Sequence, residues 1–253
     1  MRLDAELVRR GMASGRERAK ECIAAGRITV NGVIITKVSR ETCENDEIAL
    51  SPGSEPDYVG RGGYKLAGAL DVFAINVSGL SAIDVGASTG GFTDCLLRRG
   101  AARVTAVDVG SGQLAEVLRK DDRVICMENT DIRKFTPDEA YDFACVDVSF
   151  ISLKLVLPHI LSLINSAAHI VALIKPQFEA GLYNVGKNGI VKDKGIHAQV
   201  LSSIHLFVRE YGCGVKGMAL SPIAGGDGNK EFLADIVKDT DSVFDVEAFI
   251  SGL

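Results

Sequence analysis

The stretch that most constrains the fold runs from Ser81 to Gly100 and reads SAIDVGASTGGFTDCLLRRG. Its apolar start, Ala82–Val85, predicts a strand, and the amphipathic segment Phe92–Arg99 predicts a helix after a glycine-rich turn. Strand, glycine turn and helix in this order are typical of a nucleotide-type cofactor site in a doubly wound α/β sheet. Glycines let the backbone approach a ligand, and the start of a helix presents unpaired N–H groups. The stretch therefore predicts an open sheet with a ligand site at one edge.

Strand and helix patterns continue to alternate along the chain. Further apolar segments predict strands at Arg103–Val107, Val124–Met127, Phe143–Val146, Ile170–Ile174 and Val215–Ser221, and helices at Leu66–Phe73, Leu153–Ile164 and Ala198–Tyr211. Alternation of this length implies a parallel sheet with helices on both faces. The sequence thus predicts a Rossmann-like α/β domain over residues 61–253.

Polar residues follow several of the predicted strands directly. Residues just past the carboxyl ends of parallel strands line the ligand crevice, and Asp108, Asp131, Asp147 and Lys175 all lie there. Asp108 lies 22 residues after Gly86, where a carboxylate holds the two hydroxyls of a cofactor ribose. Lys175 follows an apolar strand, where burial or a second ammonium group lowers the pKa of a lysine and makes a neutral base available.

The glycine turn separates two classes of cofactor. Gly86, Gly90 and Gly91 do not form G-x-G-x-x-G, because the second glycine is displaced by two positions. The pyrophosphate of NAD requires close backbone approach at that glycine, whereas the sulfonium amino acid of S-adenosylmethionine does not. The turn favours S-adenosylmethionine, with NAD as the alternative.

Residues 1–50 form a different unit, joined to the rest by a linker at 51–60 that is rich in proline, glycine and serine. Two short helices are predicted at Asp4–Arg10 and Gly15–Ala25, the second with Ser14 as its N-cap. Asn31-Gly32 between two β-branched runs predicts a tight hairpin. The unit is a small α+β domain.

Basic side chains are concentrated on this small unit. It holds nine Lys and Arg against eight Asp and Glu, whereas the whole chain has a net charge of −5. We expect phosphate contacts from Arg2, Arg9, Arg10, Arg16, Arg18, Lys20 and Arg27, and from Lys187 and Lys192 in a polar loop at 181–197. A solvated helix face is the alternative interpretation.

The run RLDAELVRRGMASGRERAKECIAAGRITVNG closely resembles the S-four-type RNA-binding module, also called the alpha-L motif. The matching positions are Arg2-Leu3-Asp4, Ser14, Ala19, Ile23, Gly26 and Val30-Asn31-Gly32. The resemblance covers nearly the whole unit and implies binding to structured RNA, which the helices alone do not indicate.

Lys65, Asp147, Lys175 and Glu231 reproduce the order of the Lys-Asp-Lys-Glu tetrad of FtsJ-like RNA 2′-O-ribose methyltransferases. Together with the N-terminal unit, the chain resembles the TlyA (haemolysin A) family over essentially its full length. The motifs are RGGYKL (61–66), DVGASTGGFTDCLL (84–97), VDVSFISL (146–153), LIKPQFEA (173–180), GIVKD (189–193) and GNKEFL (228–233). The resemblance implies methylation of cytidine 2′-hydroxyls in rRNA of the ribosomal subunits, with S-adenosylmethionine as methyl donor.

The resemblance also implies roles for individual residues. Lys175 is expected to activate the hydroxyl, oriented by Asp147 and Lys65, with Glu231 balancing the lysine pair; which lysine loses its proton stays open. The cofactor residues are expected to be Asp84, Gly86, Ser88, Gly90, Gly91, Phe92, Asp108 and Asp131, with Asp84, Gly86 and Gly90 at the methionine end, Asp108 at the ribose and Asp131 at the adenine.

Composition excludes several classes of protein. A net charge of −5 is not that of a basic nucleic-acid coat. The six cysteines show no C-x-x-C and no zinc spacing, so we expect reduced thiols, no metal and a cytoplasmic protein. No apolar run approaches the ~18 residues of a membrane span, and the charged N-terminus is unlike a signal peptide. An RNA-binding assembly factor without catalysis remains the main alternative; a cytolysin is the weaker one.

Overall fold

The structure is a computed structural model of the 253-residue chain. It describes residues 1–13, 15–51, 58–186, 188–225, 228–240 and 244–252. The predicted cap Ser14, most of the predicted linker and Lys187 lie outside these residues. The chain divides into two compact units, Met1–Gly60 and Arg61–Leu253.

The first unit contains two helices and a three-stranded antiparallel sheet. The helices are α1 (Leu3–Arg9) and α2 (Arg16–Ala24), and the strands are β1 (Ile28–Val30), β2 (Val33–Ile34) and β3 (Ile48–Leu50), in the order β2-β1-β3. Apolar side chains of both layers form its core, among them Leu3, Leu7, Ala19, Ile23, Ile28 and Val30. This confirms the predicted small α+β unit.

The predicted hairpin connects β1 and β2. Val30 pairs with Val33, and the two residues between them both have positive φ, 51° at Asn31 and 78° at Gly32. Two left-handed residues in succession are what a two-residue type I′ turn requires, and Asn-Gly adopts it at low cost. Asn31 also accepts a hydrogen bond from the backbone N–H of Glu47, which ties the turn to the segment before β3.

The second unit is built on a seven-stranded sheet in the order β6-β5-β4-β7-β8-β10-β9. The strands are β4 (Ser81–Val85), β5 (Arg103–Val107), β6 (Val124–Met127), β7 (Tyr141–Val146), β8 (Ile164–Ile174), β9 (Cys213–Leu220) and β10 (Phe232–Lys238). The first five run parallel, and β10 runs antiparallel to both of its neighbours. This mostly parallel sheet confirms the predicted fold class.

Helices cover both faces of this sheet. They are α3 (Gly62–Val72), α4 (Gly91–Arg98), α5 (Glu116–Arg119), α6 (Leu157–Leu163), α7 (Pro176–Glu179), α8 (Lys194–Glu210) and α9 (Val246–Ser251). Ile83 packs into one core with side chains of α6 and α8. Its neighbour Asp84 points to the opposite face, where Thr93 of α4 bonds to it.

The predicted bounds differ most clearly from the structure at the strand expected over Ile170–Ile174, which is β8 (Ile164–Ile174) in the structure. A helix was expected up to Ile164, but α6 begins only at Leu157 and ends at Leu163, after which β8 starts at once. Pro158 occupies the first turn of α6, a position where its missing N–H costs nothing, and this favours a helix start there. The beginning of β8 is partly exposed and polar, so its sequence shows no strand pattern.

Among the described residues, no helix is long and apolar enough to cross a membrane. Within the same residues, no group of three or more His, Cys, Asp or Glu side chains is arranged to hold a metal ion.

Candidate active site

The sheet topology brings the four tetrad residues to one region of the second unit. Asp147 and Lys175 follow the neighbouring parallel strands β7 and β8, so they lie at the same edge of the sheet. Glu231 precedes β10, and because β10 is antiparallel to β8, Phe232 pairs with Ile174. The start of β10 therefore lies beside the end of β8. Lys65 reaches the site from the first turns of α3.

The tetrad forms two lysine–carboxylate pairs. Lys175 Nζ lies 2.5 Å from Asp147 Oδ1 and donates a hydrogen bond of 2.8 Å to Ser149 Oγ. Lys65 Nζ donates to Glu231 Oε2 over 2.5 Å. Lys65, Lys175 and Glu231 are buried. Buried ions are retained only where partners compensate for lost water, so each lysine depends on its own carboxylate.

Asn229, which the sequence analysis missed, ties the turn before Glu231 to the 189–193 segment. It is 1% exposed. Its Oδ1 accepts from the Val191 backbone N–H (3.0 Å), and its Nδ2 donates to the Gly189 carbonyl (2.9 Å). The segment carrying Lys192 is thus fixed next to the turn that carries Glu231. Nothing in the sequence around Asn229, two residues before Glu231, indicates that its side chain binds the backbone of residues 189–191.

A cleft of about 500 Å³ opens at the carboxyl ends of β4, β5 and β7. This volume lies in the range of small-molecule and cofactor sites. Its lining includes Gly86, Ser88, Asp108, Asp131, Asp147 and Ser149. Asp147 therefore belongs both to the cleft and to the lysine pairs, and it connects the two parts of the site.

Gly86 and Gly90 of the turn are each required to be glycine, but for different structural reasons. Gly86 has φ +85°, and a Cβ there would lie 2.4 Å from the carbonyl oxygen of Asp147. Gly90 has φ +94°, but a Cβ there would lie 2.3 Å from Leu118 of α5. Gly86 permits the close approach of the loop after β7, whereas Gly90 permits the packing of α5. Gly91 and Phe92 are buried and lie outside the cleft lining.

Asp84 is a fully buried carboxylate near the carboxyl end of β4, and it is not among the residues that line the cleft. Thr93 donates to its Oδ2 over 2.6 Å, while Oδ1 has no hydrogen-bond partner among the described residues. Burial raises the pKa of Asp84 to about 7, against the hydrogen bond from Thr93, and the charge of Asp147 raises it further. An unsatisfied acceptor of this kind is a place where a cationic or N–H group of a ligand gains most.

Asp108 and Asp131 both line the cleft, and the Thr130 backbone N–H donates to the Asp108 carbonyl over 2.9 Å, so the two loops are neighbours. Asp108 accepts from the backbone N–H groups of Ser88 (2.8 Å) and Gly110 (2.7 Å), so it joins the glycine turn to the loop after β5. Asp131 is held in a fork by Arg133, and hydrogen bonds from that side chain lower its pKa to about 2. Both carboxylates are fixed by the protein itself.

The loop beside Asp108 is held by Glu128, a second residue that the sequence did not indicate. Its carboxylate accepts from the backbone N–H groups of Gly112, Gln113 and Leu114 at 2.8–2.9 Å. These bonds, led by the one from Leu114, lower the pKa of Glu128 to about 2. Since Gln113 lines the cleft, Glu128 fixes part of the cleft wall.

Phe150 is a third residue of the site that sequence reasoning missed. It lines the cleft, is 91% exposed and has φ +64°, an unusual conformation for a bulky side chain. Its ring centroid lies 5.1 Å from that of Phe178. An exposed aromatic held in a strained backbone next to Ser149 is suited to contact a planar substrate group.

Among the described residues, those expected to contact RNA are all in the first unit apart from the exposed Lys192; Lys187 lies outside the described residues. Most of them are paired with carboxylates: Arg2 and Arg16 with Asp4, Arg9 and Arg10 with Glu6, Arg18 with Glu21, and Lys20 with Glu17. Arg27 Nη1 lies 3.9 Å from Cys22 Sγ. Much of the positive charge is thus held in defined geometry rather than on freely moving side chains.

Known proteins resemble both units. Residues 58–236 match the FtsJ-like methyltransferase family, and residues 1–48 match the S4 domain. The 16S/23S rRNA (cytidine-2′-O)-methyltransferase TlyA of Mycobacterium tuberculosis is 43% identical, over 95% of this chain and 91% of that protein. Hemolysin A of Brachyspira hyodysenteriae is 39% identical, over 94% and 100%. A solved structure from Streptococcus thermophilus, described as a candidate hemolysin, superposes with a TM-score of 0.75 at 43% identity, covering 100% of this chain and 93% of that one.

Proposed function

The chain belongs to the FtsJ-like methyltransferase family, and on that premise we propose that it transfers a methyl group from S-adenosylmethionine to a ribose 2′-hydroxyl of rRNA. The observation that carries the proposal is the pairing of Asp147, a cleft residue, with Lys175. It places an ammonium group beside a cleft of the size of a nucleoside cofactor.

The cleft suits S-adenosylmethionine on the chemistry of its donors. Asp84 is not part of the cleft lining, but its unpaired buried oxygen lies two residues before Gly86, which is, and we assign it to support of the charged methionine end. Asp108, fixed by two backbone N–H groups, retains lone pairs for ribose hydroxyls. Gly86, Ser88 and Asp131 also line the cleft. We assign Gly90, Gly91 and Phe92 to support of this wall rather than to contact with the cofactor.

S-adenosylmethionine, when bound, supplies a methyl group on a positively charged sulfur. A ribose 2′-hydroxyl is a weak acid, so its oxygen becomes a better nucleophile when a neighbouring group takes or orients its proton. We assign this role to Lys175, whose Nζ is held in place by Asp147 and Ser149; to take the hydroxyl proton it must first lose one of its own, whereas it can orient the hydroxyl in either form. Lys65, held by Glu231, adds a second fixed ammonium group to the site. Holding the hydroxyl in line with the methyl group accounts for most of the remaining catalysis.

The target class is inferred from the first unit and from the relatives. The S4 domain is an RNA-binding domain, and the Mycobacterium tuberculosis relative is named for 16S and 23S rRNA. Since the whole chain is acidic, RNA contacts depend on local groups such as the arginines of residues 1–50. Cytidine in ribosomal subunits is the proposed target.

The test is transfer of a labelled methyl group from S-adenosylmethionine to purified ribosomal subunits. Lys175→Ala is expected to abolish transfer, while its cofactor affinity by calorimetry stays within about twofold, because Lys175 is outside the cleft lining. Lys120→Ala, at an exposed surface pair with Glu116, is the matched control and should keep full activity. Full transfer by Lys175→Ala would overturn the assignment. Absence of S-adenosylmethionine binding by the wild-type chain would favour a non-catalytic RNA-binding protein.

A further inference from the structure

Asp4 is a charged residue of the first unit whose side chain is completely buried. Its carboxylate accepts from Arg2 Nε (3.0 Å) and Nη2 (3.3 Å), and from Arg16 Nη2 (3.0 Å). Burial alone raises the pKa of Asp4, but the hydrogen bonds from the two guanidinium groups outweigh this and lower it. Asp4 is therefore an anion at neutral pH.

The two arginines that hold Asp4 are themselves exposed. The exposed fractions of their side chains are 47% for Arg2 and 58% for Arg16. Arg2 directly precedes α1 and Arg16 begins α2, so one carboxylate holds guanidinium groups from the starts of both helices. In the described part of the chain, the N–H groups that they do not donate to Asp4 are available to a ligand.

The other contacts between acidic and basic side chains of this unit differ from the group formed by Asp4, Arg2 and Arg16. Glu6 is also buried and also holds two arginines, but only Arg9 is well exposed, because Arg10 additionally donates to the Asp46 carbonyl and is largely covered. That contact ties helix to loop. Glu21, the partner of Arg18, and Glu17, the partner of Lys20, are 52% and 85% exposed, so these contacts are ordinary surface pairs of little energetic value.

A buried carboxylate shared by two exposed arginines has a specific physical consequence. The group of three keeps a net charge of +1, and the arginines lose little further freedom when they bind an anion because their geometry is already fixed. Guanidinium groups suit phosphate oxygens, since their planar N–H donors bind two oxygens at once. The guanidinium groups of Arg2 and Arg16, held by the same carboxylate, can therefore bind one phosphate group together.

We propose that Asp4 is a positioning residue that holds Arg2 and Arg16 together, so that their two guanidinium groups form one binding site for a backbone phosphate of the RNA. The proposal rests on the proposed function and adds a site within it. Asp4 itself does not touch the RNA.

The test asks whether Asp4→Asn raises or lowers the affinity of the chain for RNA. Asp4→Asn removes one negative charge, so long-range electrostatics alone predicts tighter RNA binding. If Asp4 positions the arginines, affinity of the full chain for ribosomal subunits instead falls about fivefold to tenfold, although the protein has become more positive. Glu21→Gln makes the same charge change at a surface pair and is expected to keep or slightly raise affinity.

A second set of variants separates positioning from misfolding. Arg2→Ala and Arg16→Ala should each weaken binding and reduce the salt dependence of the binding constant by about one ion. Asp4→Asn added to the Arg2→Ala/Arg16→Ala chain should cause no further loss, whereas a general folding defect would add its own. Arg2→Lys should lose affinity despite its kept charge, because an ammonium group cannot reproduce the fork.

The outcomes distinguish this proposal from the proposed function. Subunit binding by Asp4→Asn that equals or exceeds that of the wild-type chain overturns the positioning role alone. A further loss in the triple variant also overturns it. A wild-type chain that neither binds nor methylates ribosomal subunits overturns the proposed function.

Discussion

Asp84→Asn is expected to change the pH dependence of stability more than any other single substitution in the site. The carboxyl has a pKa of about 7 in the folded chain because it is buried in β4, against a usual value of 3.8. Between these values the unfolded chain has released the proton and the folded chain has kept it. Each pH unit in that range then favours unfolding by about 1.4 kcal/mol, and above pH 7 the penalty stays constant at about 4 kcal/mol.

Asparagine removes this titration while keeping the shape of the side chain. Its amide adds an unpaired donor at the site of Oδ1, but that cost is the same at every pH. The stabilisation by Asp84→Asn should therefore be larger at about pH 8 than at about pH 5, by about 3 kcal/mol. This difference is the quantity to measure, because the constant cost cancels from it.

The assay is urea unfolding of the full chain without cofactor, followed by circular dichroism at the two pH values. Asp138→Asn, at an exposed carboxyl before β7, is the matched control and should shift the unfolding free energy equally at both. A difference for Asp84→Asn below about 1 kcal/mol would refute the argument from burial. The same variant should bind S-adenosylmethionine poorly, which would explain why a destabilising acid is kept.

Further outcomes follow from the geometry of the cleft and the lysine pairs. Gly86→Ala should lower the unfolding free energy by at least about 2 kcal/mol and remove methyl transfer, because its Cβ would lie 2.4 Å from the Asp147 carbonyl; an unchanged urea midpoint would contradict this. Lys65→Met leaves Glu231 buried without a partner and should cost about 3–5 kcal/mol in urea unfolding, whereas Lys65→Met with Glu231→Leu should recover most of the stability and none of the activity. Glu128→Ala should weaken S-adenosylmethionine binding about tenfold by calorimetry while activity at saturating cofactor stays near that of the wild type; a matching loss of that activity would place its effect in the chemical step.

Local features of this fold could be predicted because neighbouring residues determine them. The Asn31-Gly32 hairpin depends on two residues that accept positive φ, and the structure has both. The strand of Ala82–Val85 and the turn at Gly86 likewise depend on a short apolar run and one glycine. Placing Asp147 and Lys175 at one edge needs only the expectation that β7 and β8 are parallel neighbours, which they are.

Contacts between distant positions could not be predicted in the same way. Lys65 and Glu231 are 166 residues apart, and their pairing depends on β10 running antiparallel to β8. Likewise, the unpaired oxygen of Asp84 depends on all the side chains that surround it, and no sequence pattern gives that environment. Gly90 was predicted to contact the cofactor because of its place in the glycine turn, but the structure explains it by the packing of Leu118.

The position of β10 has a consequence for how the chain reaches its active form. Within the described sheet, β9 pairs only with β10, although it is made earlier in the chain. The last strand must therefore enter between two segments already synthesised, and such long-range pairings form slowly. Until it does, β9 has no partner strand and Lys65 has no carboxylate. Completion of the sheet and the onset of methyl transfer should thus be one kinetic event, and a nascent chain that lacks its last strand should be unable to modify RNA.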